Sequence, residues 1–324
     1  MGADFGPVLD WVQQRTAAGM FPTAVVGIAT SSGTVELGAF GTTGGRAVRS
    51  DDRFRLFSIT KPLVGLLVGR AMERGLLSLD TPLRRALPDF GRDRDDEVRL
   101  GHLVSHRSGV IEPPLDAAGP LRPYLLAPGR AFTAGAVMAY SSLAFDGITA
   151  LLDDAVGRGW EEQLADLSAA VGADFTFDEA ADPVPLVPLP GFDAARFAAL
   201  RHPGAGAIAR AEDLLALGSS LLAGDGRAVR PATLEMMRRP LTQGVPRLDR
   251  LAPWDGHEYG VTFNLRYWRQ GLIDPQVFGH SGWAGTEFWI HPELDLCWTL
   301  LTNTPDRPGF ELDALDNLIV SCAS

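Results

Sequence analysis

Of the 29 basic side chains in this sequence, 28 are arginine and one is lysine, Lys61. Arginine keeps its proton in proteins, whereas lysine gives it up when desolvated or placed near another cation. A site that needs a neutral amine as a base is therefore open to Lys61 and closed to every arginine. Three residues earlier lies Ser58, in the run Ser58-Ile59-Thr60-Lys61. At the start of a helix, this i, i+3 spacing stacks both side chains on one face and brings the amine within reach of the hydroxyl. The positive end of such a helix favours a developing oxyanion and disfavours an ammonium. A serine hydroxyl attacks a carbonyl once a base takes its proton, and an uncharged lysine is such a base.

Two later segments carry matching chemistry. Tyr140-Ser141-Ser142 precedes a helical period that starts at Leu143. Its phenol is either a core group with a satisfied hydroxyl or a relay between Ser58, Lys61 and a leaving group, with a pKa that a nearby ammonium lowers. Gly279-His280-Ser281-Gly282-Trp283 falls between two expected strands. Gly282 lets the backbone approach a ligand closely, and the strand edge beyond it offers N–H groups to an oxyanion.

The elements that must position these groups follow from periodicity. Asp4 to Ala18 has the stripe of a helix, and Thr23–Thr30 and Thr34–Phe40 form a hairpin around Ser31-Ser32-Gly33. A helix is expected from Ser58 to Arg74, with Pro62 in its first turn and Gly75 as its stop. Helical periods continue at Leu143–Val156, Trp160–Ala170 and Ala209–Ala223. Two proline-rich connectors, Glu112–Pro128 and Asp182–Pro190, are either plain coil or the rim of an entrance. Strands return at Tyr259–Trp268, Gln276–Phe278, Thr286–Ile290 and Leu296–Thr302. A last helix, Glu311–Cys322, carries Leu312, Leu315, Ile319 and Cys322 on one face. These elements make an α+β chain: an antiparallel sheet built from both chain ends and flanked by helices (1–75 and 230–324), plus an inserted mainly helical domain (76–229). The cleft between them is the expected site.

In order and spacing, the three motifs resemble the serine β-lactamase and penicillin-binding-protein-like superfamily. Within it the chain looks like the branch of class C β-lactamases, family VIII carboxylesterases, D-amino-acid amidases and related acyltransferases. The resemblance covers nearly the whole chain and includes Leu103-Val104-Ser105-His106-Arg107-Ser108-Gly109, the run from Tyr140 to Gly147, and Leu300-Leu301-Thr302-Asn303. It implies Ser58 as the acylated nucleophile, Lys61 and Tyr140 as the proton-transfer pair, and an oxyanion hole from the backbone N–H groups of Ser58 and Trp283. Ser142, His280, Ser281 and Gly282 would contact substrate, and no metal or organic cofactor is implied. Two departures stand out. Ser142 replaces the asparagine usual in β-lactamases, and His280 replaces a lysine, giving a cation only below its ordinary pKa near 6.5. Both weaken recognition of a carboxylated β-lactam.

Composition narrows the rest. A formal charge of −11 without clustered lysine or arginine argues against nucleic acid as a partner. With 46% hydrophobic residues there is ample material for a core. The longest apolar run, Leu63 to Gly69, is far short of a membrane span. Met1 to Gly6 lacks both the pattern of an export signal and that of a myristoylation site. Cys297 and Cys322 read as buried thiols in a reducing cytoplasm, Asp93–Glu97 as a solvated loop, and Met236 and Met237 as core. His102 and His106 lack the glutamate of a zinc-protease helix, and His257 and His291 have no partner identifiable from sequence. Trp283 and the loop around Tyr124 are expected to line an apolar pocket. The expectation is a cytoplasmic serine acyl hydrolase acting on a small-molecule ester or amide. Its alternatives are an acyltransferase tailoring a small natural product, a β-lactamase or D-amino-acid peptidase or amidase, and a non-catalytic binding scaffold.

Overall fold

The computed structural model describes residues 3–248, 257–266, 271–307 and 312–324. Helix α1 (Gly6–Ala17) leads to the hairpin of β1 (Thr23–Thr30) and β2 (Gly33–Thr43), followed by β3 (Arg46–Ala47) and β4 (Phe54–Arg55). A single 3₁₀ turn, Phe57–Ile59, runs into α2 (Thr60–Glu73). The middle of the chain supplies α3 (Leu100–Val104), α4 (Leu121–Leu125), α5 (Ala144–Val156), α6 (Trp160–Val171) and α7 (Ala194–Ala199), then β5 (Ile208–Ala209), α8 (Ala211–Ala223) and α9 (Pro231–Met237). The last part returns to strands: β6 (Glu258–Tyr259), β7 (Asn264–Leu265), β8 (Phe278–Gly282), β9 (Thr286–His291) and β10 (Leu296–Thr302), closed by α10 (Leu312–Ala323).

Eight strands form one antiparallel sheet in the order β3-β2-β1-β10-β9-β8-β7-β6, and β4 pairs with β5 outside it. The two chain ends therefore meet in mid-sheet, where Val25 faces Leu301 and Ile28 faces Trp298. Alternation along β1 sorts side chains to two faces. Ala24, Val26 and Ile28 join Val8, Val12, Trp289, Trp298, Leu315 and Ile319 under the terminal helices α1 and α10. Val25 and Ala29 join Leu214, Leu215, Phe288 and Leu301 under α8, and that core continues through α2 and α5. Burying each large side chain here stabilises the fold by about 1.5–3 kcal/mol. Helix α8 lies very close to the sheet, because a methyl on Gly218 would stand 2.3 Å from Cys297 Sγ.

Several expectations change in the structure. The His280-Ser281-Gly282 run lies inside β8, paired with Phe288, Glu287 and Thr286 of β9, and is not a loop between strands. Glycine, serine and histidine give no alternating pattern, so pairing with a neighbour decides. The single strand expected over 259–268 is a hairpin of β6 and β7 that turns at Thr262, whose φ is +62°; residues 267 and 268 lie outside the described residues. The acidic run at 93–97 is not simply solvated. Asp96 pairs with Arg94 and Arg130, and Asp93 accepts the Gly129 N–H, so the run pins the end of the first proline-rich connector. Cys297 is buried as expected, but Cys322 is only half-buried.

Candidate active site

Ser58 sits two residues ahead of α2, in the 3₁₀ turn, where the sequence suggests the helix itself. Phe57 before it has φ +47°, a left-handed conformation that costs a bulky residue about 1–3 kcal/mol. Packing holds that strain. The Phe57 ring stacks on Phe197 at 5.1 Å and meets the edge of Trp283 at 5.6 Å. The turn is fastened to the sheet by Thr286 Oγ1, which donates to the Leu56 carbonyl at 2.9 Å. A methyl on Gly282 would stand 2.2 Å from that same carbonyl, so only glycine permits the approach. The turn holding Trp283 is thereby set against the turn holding Ser58, and Ser58 itself is half-exposed.

Lys61, one turn into the same helical stretch, is completely buried. Its Nζ lies 3.2 Å from Ser58 Oγ, 3.0 Å from Ser142 Oγ and 2.8 Å from the Gly204 carbonyl. A neutral amine has two N–H donors and one lone pair. Donating to Gly204 and Ser142 leaves the lone pair for the Ser58 hydroxyl. Burial pushes this lysine from 10.5 down to about 7, opposed by the negative charge of Glu112. The aromatic faces of Tyr140 and Phe145, 4.5 and 5.3 Å away, fill the rest of its surroundings.

Tyr140 lies on the loop entering α5, and its ring stacks on His106 at 4.4 Å. His106 Nδ1 accepts the Ser141 N–H at 3.1 Å, which fixes the turn that carries the tyrosine. The Tyr140 hydroxyl is 3.5 Å from His280 Nε2. His280 Nδ1 is 2.7 Å from the Ser281 carbonyl, which can only accept, so the proton sits on Nδ1 and Nε2 accepts from the tyrosine. Burial, with Lys61 nearby, pushes His280 to about 3. This corrects the expected cation near pH 6.5: the strand motif presents a neutral imidazole. Ser281 Oγ is buried and has no hydrogen-bond partner among the described residues.

Two groups at the centre are not evident from the sequence. The Gly204 carbonyl is a backbone atom in a loop, and its only signal is the glycine spacing of Pro203-Gly204-Ala205-Gly206. Glu112 opens the first proline-rich connector and turns its carboxylate onto the Ser141–Leu143 backbone. That connector and the second one each add a side chain, Leu115 and Leu186, to the aromatic cluster of Phe57, Phe192 and Phe197. Trp283, 44% exposed, is the open edge of this cluster. Tyr124 is not part of it. It lies in α4, packs on the larger core and donates to the Ala118 carbonyl, which corrects the expected pairing with Trp283. His102 Nδ1 accepts the Arg99 N–H, and His257 Nδ1 lies 2.9 Å from Asn264 Nδ2, so both serve within the fold.

The sequence profile of the Beta-lactamase family matches residues 8–321. The chain belongs to this family. Esterase EstB from Burkholderia gladioli is 44% identical over 79 residues, a stretch that covers 23% of this chain and 20% of the esterase. EstCE1, a hydrolase with promiscuous acyltransferase activity, superposes with a TM-score of 0.78 at 20% identity over 98% of each chain. A penicillin-binding protein homologue from Caulobacter crescentus gives 0.82 at 19% identity, covering 100% of this chain and 98% of its own. These structures share the fold of this chain, an antiparallel sheet flanked by helices. No helix among the described residues is long and apolar enough to cross a membrane.

Proposed function

We propose that this protein is a serine acyl hydrolase that works through an acyl-enzyme on Ser58 and acts on a small-molecule ester or amide. Lys61 takes the Ser58 proton, the oxygen attacks the substrate carbonyl, and the backbone N–H groups of Ser58 and Trp283 hold the oxyanion. The proton then passes through Lys61 and Tyr140 to the leaving group, and water repeats the sequence to release the acid. One observation carries this reading: a completely buried lysine within hydrogen-bond reach of a half-exposed serine, its other two polar contacts being neutral acceptors.

The substrate side of the site is built for neutral compounds. His106, His202 and His280 are all held below their ordinary pKa by burial, so no histidine there presents a cation to a carboxylate at neutral pH. With Ser142 in place of an amide, this supports an ester or amide substrate over a carboxylated β-lactam. The exposed face of Trp283 beside Phe57 and Phe192 suits an apolar acyl or alcohol group. Acyl transfer to an amine or alcohol is the second reading, favoured by the fold shared with EstCE1 and by the half-open Ser58. The two unpaired cysteines support a reducing, cytoplasmic setting.

Incubation with a fluorophosphonate or p-nitrophenyl acetate, followed by intact mass and peptide mapping, tests the reading. One adduct on Ser58, absent in Ser58→Ala, is expected. A correctly folded protein that takes no label would leave only a binding scaffold.

A further inference from the structure

The Glu112 carboxylate reaches across 30 residues of chain to the N-terminal end of α5. Its Oε2 accepts from Ser141 Oγ at 2.6 Å, its Oε1 accepts the Ser142 N–H at 2.8 Å, and the Leu143 N–H lies 3.1 and 3.2 Å from the two oxygens. A helix start needs no such distant anion, since one short hydroxyl suffices. Ser141 Oγ already accepts the Ala144 N–H at 3.0 Å. What the extra carboxylate gains is proximity to Lys61. Ser142 bridges the two groups, its N–H on Glu112 and its Oγ on Lys61 Nζ.

We propose that Glu112 is a positioning residue for the chemistry at Ser58: it fixes the Tyr140–Ser142 turn and balances the charge Lys61 gains on taking the serine proton. The proposal rests on the acyl-enzyme reading above. In that step the Ser58 O–H bond breaks, an N–H bond forms on Lys61, and the amine becomes an ammonium inside an apolar wall. The titratable groups facing it are His106, Tyr140, His202, His280 and Glu112. The three histidines are neutral through burial, which leaves Glu112 as the anion among these groups. Burial pushes the Glu112 carboxyl up, while the hydrogen bonds it accepts from Ser141, Ser142 and Leu143 and the charge of Lys61 draw it back.

The sign of the effect separates this role from a purely structural cap. An anion near the amine holds the lysine's pKa above what burial alone would give. Removing the anion lowers that pKa, so the pH at which Lys61 becomes an active base falls. The experiment is the rate of Ser58 labelling by a fluorophosphonate between pH 5 and 9. Wild type should show an acidic limb centred near 7. In Glu112→Gln, which keeps the shape and one acceptor oxygen but removes the charge, the limb should move down by about one unit or more. Glu112→Asp, which draws the charge back by one methylene, should move it the same way by less, and it decides the matter if the glutamine variant does not fold. A folded variant whose limb stays at the wild-type position overturns the proposal, whatever its rate. Absence of any labelling in wild type would instead overturn the acyl-enzyme reading.

Discussion

Lys61 and Arg266 are both completely buried basic side chains, and the protein surrounds them in opposite ways. Arg266 follows β7 and reaches α10, where its guanidinium meets the carboxylates of Asp316 and Asp313 and stacks over Trp289 at 4.8 Å. Asp316 in turn accepts from Trp298 Nε1 at 3.0 Å. Lys61 touches two hydroxyls and a carbonyl, with its anion one residue removed behind Ser142. A buried charge bonded directly to its counter-ion is locked into one protonation state. A buried amine offered neutral acceptors can change state. The contrast teaches that a buried cation acquires a chemical role when its counter-charge is held at a distance.

Exchanging the cation types tests this contrast most severely. Lys61→Arg puts a permanent cation there that cannot give up a proton, and acylation by p-nitrophenyl esters is expected to fall by about 10²–10⁴. Thermal unfolding should still show a cooperative transition, lowered by about 1–3 kcal/mol for the larger side chain. Near-normal turnover would end the claim that the lysine acts as a base. On the other side, Asp316→Ala strands a buried guanidinium and should cost about 3–5 kcal/mol in denaturant unfolding, with kcat per folded molecule kept. A loss of kcat at full stability would place Arg266 in the chemistry and erase the distinction. The mildest change, Arg266→Lys, keeps the charge and loses the fork, and is expected to cost about 1.5–3 kcal/mol. Equal stability in that variant would show that the fork geometry is unimportant.

The same two regions explain what could be read from sequence. The Ser58–Lys61 pair was legible because i, i+3 spacing is a local geometric fact, and the terminal strands were legible because β1 and β10 are continuous apolar runs. Glu112 was not legible as part of the site, since nothing in a proline-rich connector says that its first carboxylate will turn onto a helix 30 residues later. The Gly204 carbonyl was illegible for a different reason: every residue has one, and only the fold selects which will face an amine. His280 lies beside Tyr140, and its charge differs from the one its residue type suggests. Its motif shows the residue type, but only burial against Tyr140 and Tyr259, near Lys61, fixes its protonation. Arg266 and Asp316 carry no signal in the sequence, because each looks like an ordinary surface residue until the strand and helix are docked.

The adjacency of β1 and β10 has a consequence for how the molecule is made. A ribosome releases the serine turn early and the His280 strand late, so the nascent chain carries the Ser58 turn without the Trp283 turn or the strands β8 to β10 that complete the sheet. Until the final strand arrives, β1 has one unpaired edge, and long-range pairing of this kind is slow and prone to aggregation. Closure of the sheet and protection of its β1 edge therefore arrive together, in the last moments of synthesis, and a chain cut short anywhere before residue 296 would have neither.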